Sequence, residues 1–181
     1  DIPQHRIKET ENLVSILGNE VIEEFPWKNN MKPSTNDNVE GVLRRTWRPA
    51  LSVVGSDGLP PTANAGNVLR PYTTLQLSMR IPPTTDASKA KEKINSVLLD
   101  NVPYQAKVSL DFEEAACGWN APETSSWLLE AIKKASNKYY GEDPCSIGEG
   151  GTIPFMAMLG EQFPKAQFVI TGVLGPHSNA H

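Results

Sequence analysis

The sequence predicts a mixed α/β fold in two unlike parts. The first is an α+β part, an antiparallel sheet with helices on one face; the second is part of an α/β domain. Three observations carry this reading. Residues 73–81 alternate, with Leu75, Leu77, Met79 and Ile81 on one side and Thr74, Gln76, Ser78 and Arg80 on the other, as in a strand with one wet face. Residues 86–101 and 125–140 carry apolar side chains at three-and-four spacing, the stripe of a helix lying on a core. Residues 167–174 form a nearly continuous apolar run, suited to a strand buried on both faces.

The elements follow in order. Residues 9–25 place Leu13, Val14, Ile16, Leu17, Val21 and Ile22 at helical spacing, interrupted at Gly18 and ended by Phe25-Pro26-Trp27. Residues 28–40, polar and rich in Asn, with Pro33 and Ser34, read as a loop. Residues 42–55 lean toward strand because they end in Ala50-Leu51-Ser52-Val53-Val54, and a Gly/Pro loop follows to Gly66. Pro82-Pro83 stops the strand 73–81, and Asp86 can cap the next helix. Residues 106–114 alternate again, Val108, Leu110 and Phe112 against Lys107, Ser109, Asp111 and Glu113. The texture changes after Cys117-Gly118-Trp119, which puts the boundary between the two parts near 115–124. Helix 125–140 meets its stop at Gly141. A Gly-rich loop over 148–152, a short apolar helix over 153–163 and the run 167–174 complete the second part.

Composition narrows the function classes. Lys and Arg total 17 against 21 Asp and Glu, a net charge of −4, which disfavours a role driven by phosphate neutralisation on nucleic acid. No apolar run approaches the ~18 residues of a membrane helix. Asp1-Ile-Pro-Gln-His-Arg has no apolar leader, and both ends read as cut from something longer. Cys117 and Cys145 are too few for a disulfide scaffold and read as reduced, partly buried thiols of a cytoplasmic protein.

Few groups here invite chemistry. The histidines are His5, His177 and His181. His177 and His181 are four apart, a spacing that zinc sites use on helices, but their Gly, Pro, Ser and Asn neighbours read as loop, where solvated histidines are the plainer reading. The loop Gly148-Glu149-Gly150-Gly151-Thr152 offers backbone N–H groups at a helix start, with Thr152 as a cap. It lacks the lysine of a nucleotide P-loop, and a tight turn is the bland alternative. Glu149 inside a glycine run could receive a substrate ammonium group. Arg70, where a loop enters the strand 73–81, could clamp a carboxylate in two hydrogen bonds or stand solvated at an edge. No Ser/His/Asp or Cys/His set is evident.

Four stretches together resemble one family: Arg44-Arg45-Thr46-Trp47-Arg48-Pro49-Ala50-Leu51-Ser52, Ala65-Gly66-Asn67-Val68-Leu69-Arg70-Pro71, Gly148-Glu149-Gly150-Gly151-Thr152-Ile153-Pro154, and Gly175-Pro176-His177-Ser178-Asn179-Ala180-His181. Their order and spacing are similar to the C-terminal half of zinc-dependent dipeptidases of the carnosine dipeptidase and cytosolic non-specific dipeptidase type. The wider family includes acetylornithine deacetylase, succinyl-diaminopimelate desuccinylase and carboxypeptidase G. The resemblance implies that residues 1–115 are the later part of a lid and dimerisation domain, and that 116–181 are a piece of the catalytic di-zinc domain.

It further implies two zinc ions in the parent enzyme, bridged by an aspartate and a water, with a glutamate as general base. His181 matches a metal-ligand histidine; Glu149 and Thr152 match substrate-binding positions, with Arg70 as a third candidate. The general base and remaining ligands are expected upstream of Asp1, so this chain alone is expected to be inactive. The implied partners are a short peptide substrate and a second copy, with no nucleic acid and no membrane. The rival readings are an N-acyl amino acid deacylase of the same family and a non-catalytic lid fragment.

Overall fold

A computed structural model describes residues 1–149 and 154–172. The chain opens on three helices, α1 (Gln4–Leu17), α2 (Glu20–Glu23) and α3 (Asn38–Thr46). Gly18 ends α1: its φ of 57° lies where a side chain is strained, and its N–H donates to the Val14 carbonyl. The turn brings Leu13 of α1 and Val21 of α2 against Val42 of α3, and these three are buried together with Val14 and Ile22 packed around them. This small core is the only cluster of buried apolar residues among the described residues.

The start of α3 corrects the expected strand over 42–55. Asp37 Oδ1 accepts from the N–H groups of Val39 and Glu40, at 2.9 and 3.3 Å, so the chain turns helical before Val42. Arg44 and Arg45 lie in its last turn, where cations suit the helix dipole. Strand conformation begins only at Ala50.

Strands β1 (Ala50–Asp57) and β2 (Thr74–Arg80) pair antiparallel, from Ala50 opposite Arg80 to Asp57 opposite Thr74. Val54 is the extra residue of a bulge, since Val53 pairs with Leu77 and Gly55 with Gln76. Leu51 stands opposite Met79 and Val53 opposite Leu77, so the expected apolar face exists. It is not covered: Leu51 and Val53 are each 60% exposed. Among the described residues the sheet has two strands, and the helices pack on one another rather than across it. The connection between the strands closes tightly at its base. Gly58, at φ +80°, leaves room for a Cβ only 2.3 Å from the Tyr72 carbonyl oxygen. Its far side is open, with Leu69 fully exposed.

Helix α4 (Ala87–Leu99) starts as expected, with Asp86 Oδ1 accepting from Ser88 and Lys89 N–H groups. The expected strand over 106–114 does not form. Alternation supplies a face but not a partner, and among the described residues no third strand pairs there. The segment instead runs beside α4, where Lys91 Nζ lies 5.1 Å over the Phe112 ring and Ala87 N–H meets Cys117 Sγ at 3.5 Å. Helix α5 (Ser126–Tyr140) ends on Gly141 at φ 79°, and α6 (Pro154–Gln162) follows. Residues 167–172 lie in no strand, and Val169 and Ile170 are 58% and 62% exposed. A strand buried on both faces needs flanking strands, and none among the described residues flanks it; residues 173 and 174 lie outside the described part.

Candidate functional site

The arginines of the stretch 44–48 are paired with carboxylates. Glu40 Oε1 accepts from Arg44 Nε at 3.0 Å and Arg48 Nε at 2.8 Å, while Oε2 accepts from a second Arg48 nitrogen at 2.8 Å. The fork of Arg48 thus grips one carboxylate in the bidentate manner. These bonds, Arg48 first and Arg44 second, hold the Glu40 carboxyl down at about 2. Arg45 bonds Glu24 and lies over the Phe25 ring, 5.3 Å from its centroid. The stretch therefore fastens the end of α3.

Trp47 follows, 8% exposed, its N–H donating to the Leu43 carbonyl at 2.8 Å. Against this helix end leans Gly148. A Cβ placed on Gly148 would stand 3.3 Å from Thr46 Cβ, 3.5 Å from Thr46 Cγ2 and 3.8 Å from Trp47 Nε1. Two stretches that the sequence separates widely are brought together at this point. Glu149, the next residue, is exposed, so its carboxylate is available to a ligand.

The other candidates are not gathered there. Arg70 is exposed in the β1–β2 connection, and no hydrogen bond or ion pair joins it to Glu149. Thr152, His177 and His181 lie outside the described residues. His5, on α1, is half-buried. Among the described residues no three His, Cys, Asp or Glu side chains converge. The cysteines correct the expected burial: both are free and exposed. Neighbouring atoms still take enough water from the Cys145 thiol to push it up from its ordinary value.

A separate cavity of about 130 Å³ lies between Arg6, Trp119, Pro122, Gln167, Phe168 and Ile170. Two of its polar side chains, Arg6 and Gln167, hold segments together. Arg6 donates to Glu9 Oε2 at 2.7 Å and to the Ala121 carbonyl at 2.6 Å, and Gln167 Oε1 accepts from the Ser125 N–H at 2.7 Å. Trp119 and Phe168 meet edge to face at 5.2 Å. The cavity marks a joint between α1 and the chain beyond residue 118.

No protein-family model matches the chain. A cysteinylglycine-S-conjugate dipeptidase from Corynebacterium striatum is 29% identical over 138 residues, which is 74% of this chain and 29% of that protein. A Cys-Gly metallodipeptidase from Saccharomyces cerevisiae is 29% identical over 142 residues, 74% of this chain and 28% of that protein. The chain is similar to part of two Cys-Gly dipeptidases. It spans less than a third of the length of either relative. The fold agrees. Human carnosine dipeptidase 1 superposes with a TM-score of 0.61 at 19% identity, over 89% of this chain and 34% of that one. An M20 family metallo-carboxypeptidase from Sulfolobus solfataricus gives 0.57 at 17% identity, over 91% and 36%. Among the described residues no helix is long and apolar enough to cross a membrane.

Proposed function

We propose that this chain is part of a metallopeptidase that hydrolyses dipeptides, Cys-Gly or its S-conjugates among them, and that Glu149 receives the substrate's ammonium group. The observation that carries the reading is the relationship, across 74% of the chain, to two dipeptidases named for those substrates. The chemistry of Glu149 supports the role. It is an exposed carboxylate one residue past Gly148, which lies against the end of a capped helix. A carboxylate–ammonium pair is charge-assisted and selects a free amino terminus over an acylated one. Residues 1–115 are assigned to the lid and 116–181 to the catalytic domain. His181 is assigned to a metal and Thr152 to the substrate loop, with Arg70 facing the substrate carboxylate. Bond cleavage would need ligands beyond the described residues. The low cysteine count supports the cytoplasm.

Glu149→Gln in the full-length enzyme tests the reading. KM for Cys-Gly should rise about tenfold, the scale of one charge-assisted hydrogen bond, with bound metal unchanged. N-acetyl amino acids, which lack the ammonium, should be poor substrates of the unaltered enzyme. Faster turnover of those compounds than of dipeptides would favour the deacylase.

We also infer self-association through the sheet. Each strand keeps one edge unpaired among the described residues, and its apolar face is uncovered.

A further inference from the structure

We propose that Thr46 and Trp47 are positioning residues for Glu149: the end of α3 is the seat that sets where this carboxylate stands. The inference rests on the reading of Glu149 given above and deepens it.

The seat is stiff for identifiable reasons. Val42 and Leu43, in the preceding turn, are 2% and 5% exposed, and Val42 packs in the core with Leu13 and Val21. Thr46 Oγ1 donates back to the Val42 carbonyl at 2.8 Å, which fixes its rotamer and points its methyl group elsewhere. Trp47 and Arg48 N–H groups both donate to the Leu43 carbonyl. On the solvent side Glu40 ties Arg44 to Arg48. A wall held from both sides leaves the approaching loop little choice of position.

Gly148 meets that wall closely. Its φ is not in the left-handed region, so no conformational need for glycine applies. Closeness is the need: an added Cβ would lie 3.3 Å from Thr46 Cβ, inside the ~3.5–4.0 Å of an ordinary carbon contact. An alanine there must push the loop, and Glu149 with it, by a few tenths of an ångström. Binding groups tolerate little displacement, since a 1 Å misplacement costs about 100-fold.

The experiment uses the full-length, metal-loaded enzyme in four forms: unaltered, Gly148→Ala, Gly148→Ala with Thr46→Gly, and Glu149→Gln. Three quantities are measured: KM and kcat for Cys-Gly, Kd for a Cys-Gly analogue whose peptide bond is reduced, and melting temperature. The expected result is a rise in KM and Kd for Gly148→Ala of about threefold to tenfold, short of the ångström-scale limit. Its kcat and melting temperature should stay near the unaltered values. Thr46→Gly removes the Cβ and Cγ2 that the alanine meets, so the double variant should recover most of the lost affinity. If Gly148→Ala leaves KM and Kd unchanged while Glu149→Gln raises them, the seat is overturned and the Glu149 reading stands. If Glu149→Gln itself changes neither, the Glu149 reading falls and the seat falls with it. A lower melting temperature and kcat for Gly148→Ala with affinity intact would make the contact merely structural, which also overturns the proposal.

Discussion

Glu40 accepts three hydrogen bonds from two guanidinium groups, and its titration should show it. Its carboxyl sits at about 2 where 4.5 is ordinary, chiefly because Arg48 and then Arg44 bond the charged form. The folded value is lowered, so the contribution to stability is complete above the unfolded value. It is lost as pH falls from about 4.5 through about 2. Carbon-13 NMR of the Glu40 carboxyl should give a midpoint near 2, and Arg48→Ala should raise it toward 4.5 while the Arg44 bond still holds it below. A midpoint near 4.5 in the unaltered chain would mean that the fork does not form in solution. The group is at the surface, where water screens ion pairs, so the expected effect on folding is small. Its larger effect is on where the end of α3 lies.

At the scale of elements, local signals were readable and partner-dependent ones were not. Asp86 before α4, Gly141 after α5 and Gly18 between α1 and α2 act where the sequence places them, because caps and stops need only their own few residues. The alternation of β2 is likewise local. Its partner starts only at Ala50, although Val42 and Leu43 share the apolar, strand-like composition of the run that follows. The Asp37 cap overrides that preference and turns both toward the core. Residues 106–114 and 167–172 have strand-like patterns without a strand beside them among the described residues, and pattern alone supplies no hydrogen-bond partner. The candidate site was legible by composition at Glu149. Its dependence on Thr46 and Trp47 was not, because contact between distant stretches leaves no mark on either one except the glycine at 148.

At the scale of the whole molecule, much apolar surface lies open: Leu51, Val53, Val54, Trp127, Tyr139 and Ile170 are all more than half exposed. A two-stranded sheet is marginal on its own. Static light scattering of the 19.8 kDa chain should therefore give about twice the monomer mass at high concentration. Lysine at Val53, in the middle of β1, should reduce it by charging the uncovered face. A monomer mass at every concentration would remove the case for pairing through the sheet.

The connection pinched shut at Gly58 and Tyr72 also gives the chain a place to be nicked without coming apart. Leu69 stands fully exposed at the open side, whereas Arg70 is followed by Pro71, which trypsin does not cleave. A recognition site for a sequence-specific protease, inserted between Leu69 and Arg70, should be cut and leave two pieces that migrate as one species on a native gel and as two under denaturation. Three separate joins would hold them: the ladder of β1 with β2, Arg6 on the Ala121 carbonyl, and Gly148 on the end of α3. Pieces that part under native conditions would show those joins to be insufficient. Pieces that stay together would make the β1–β2 connection a tolerant site for inserting a tag or reporter, and would let the two halves be expressed separately and reassembled.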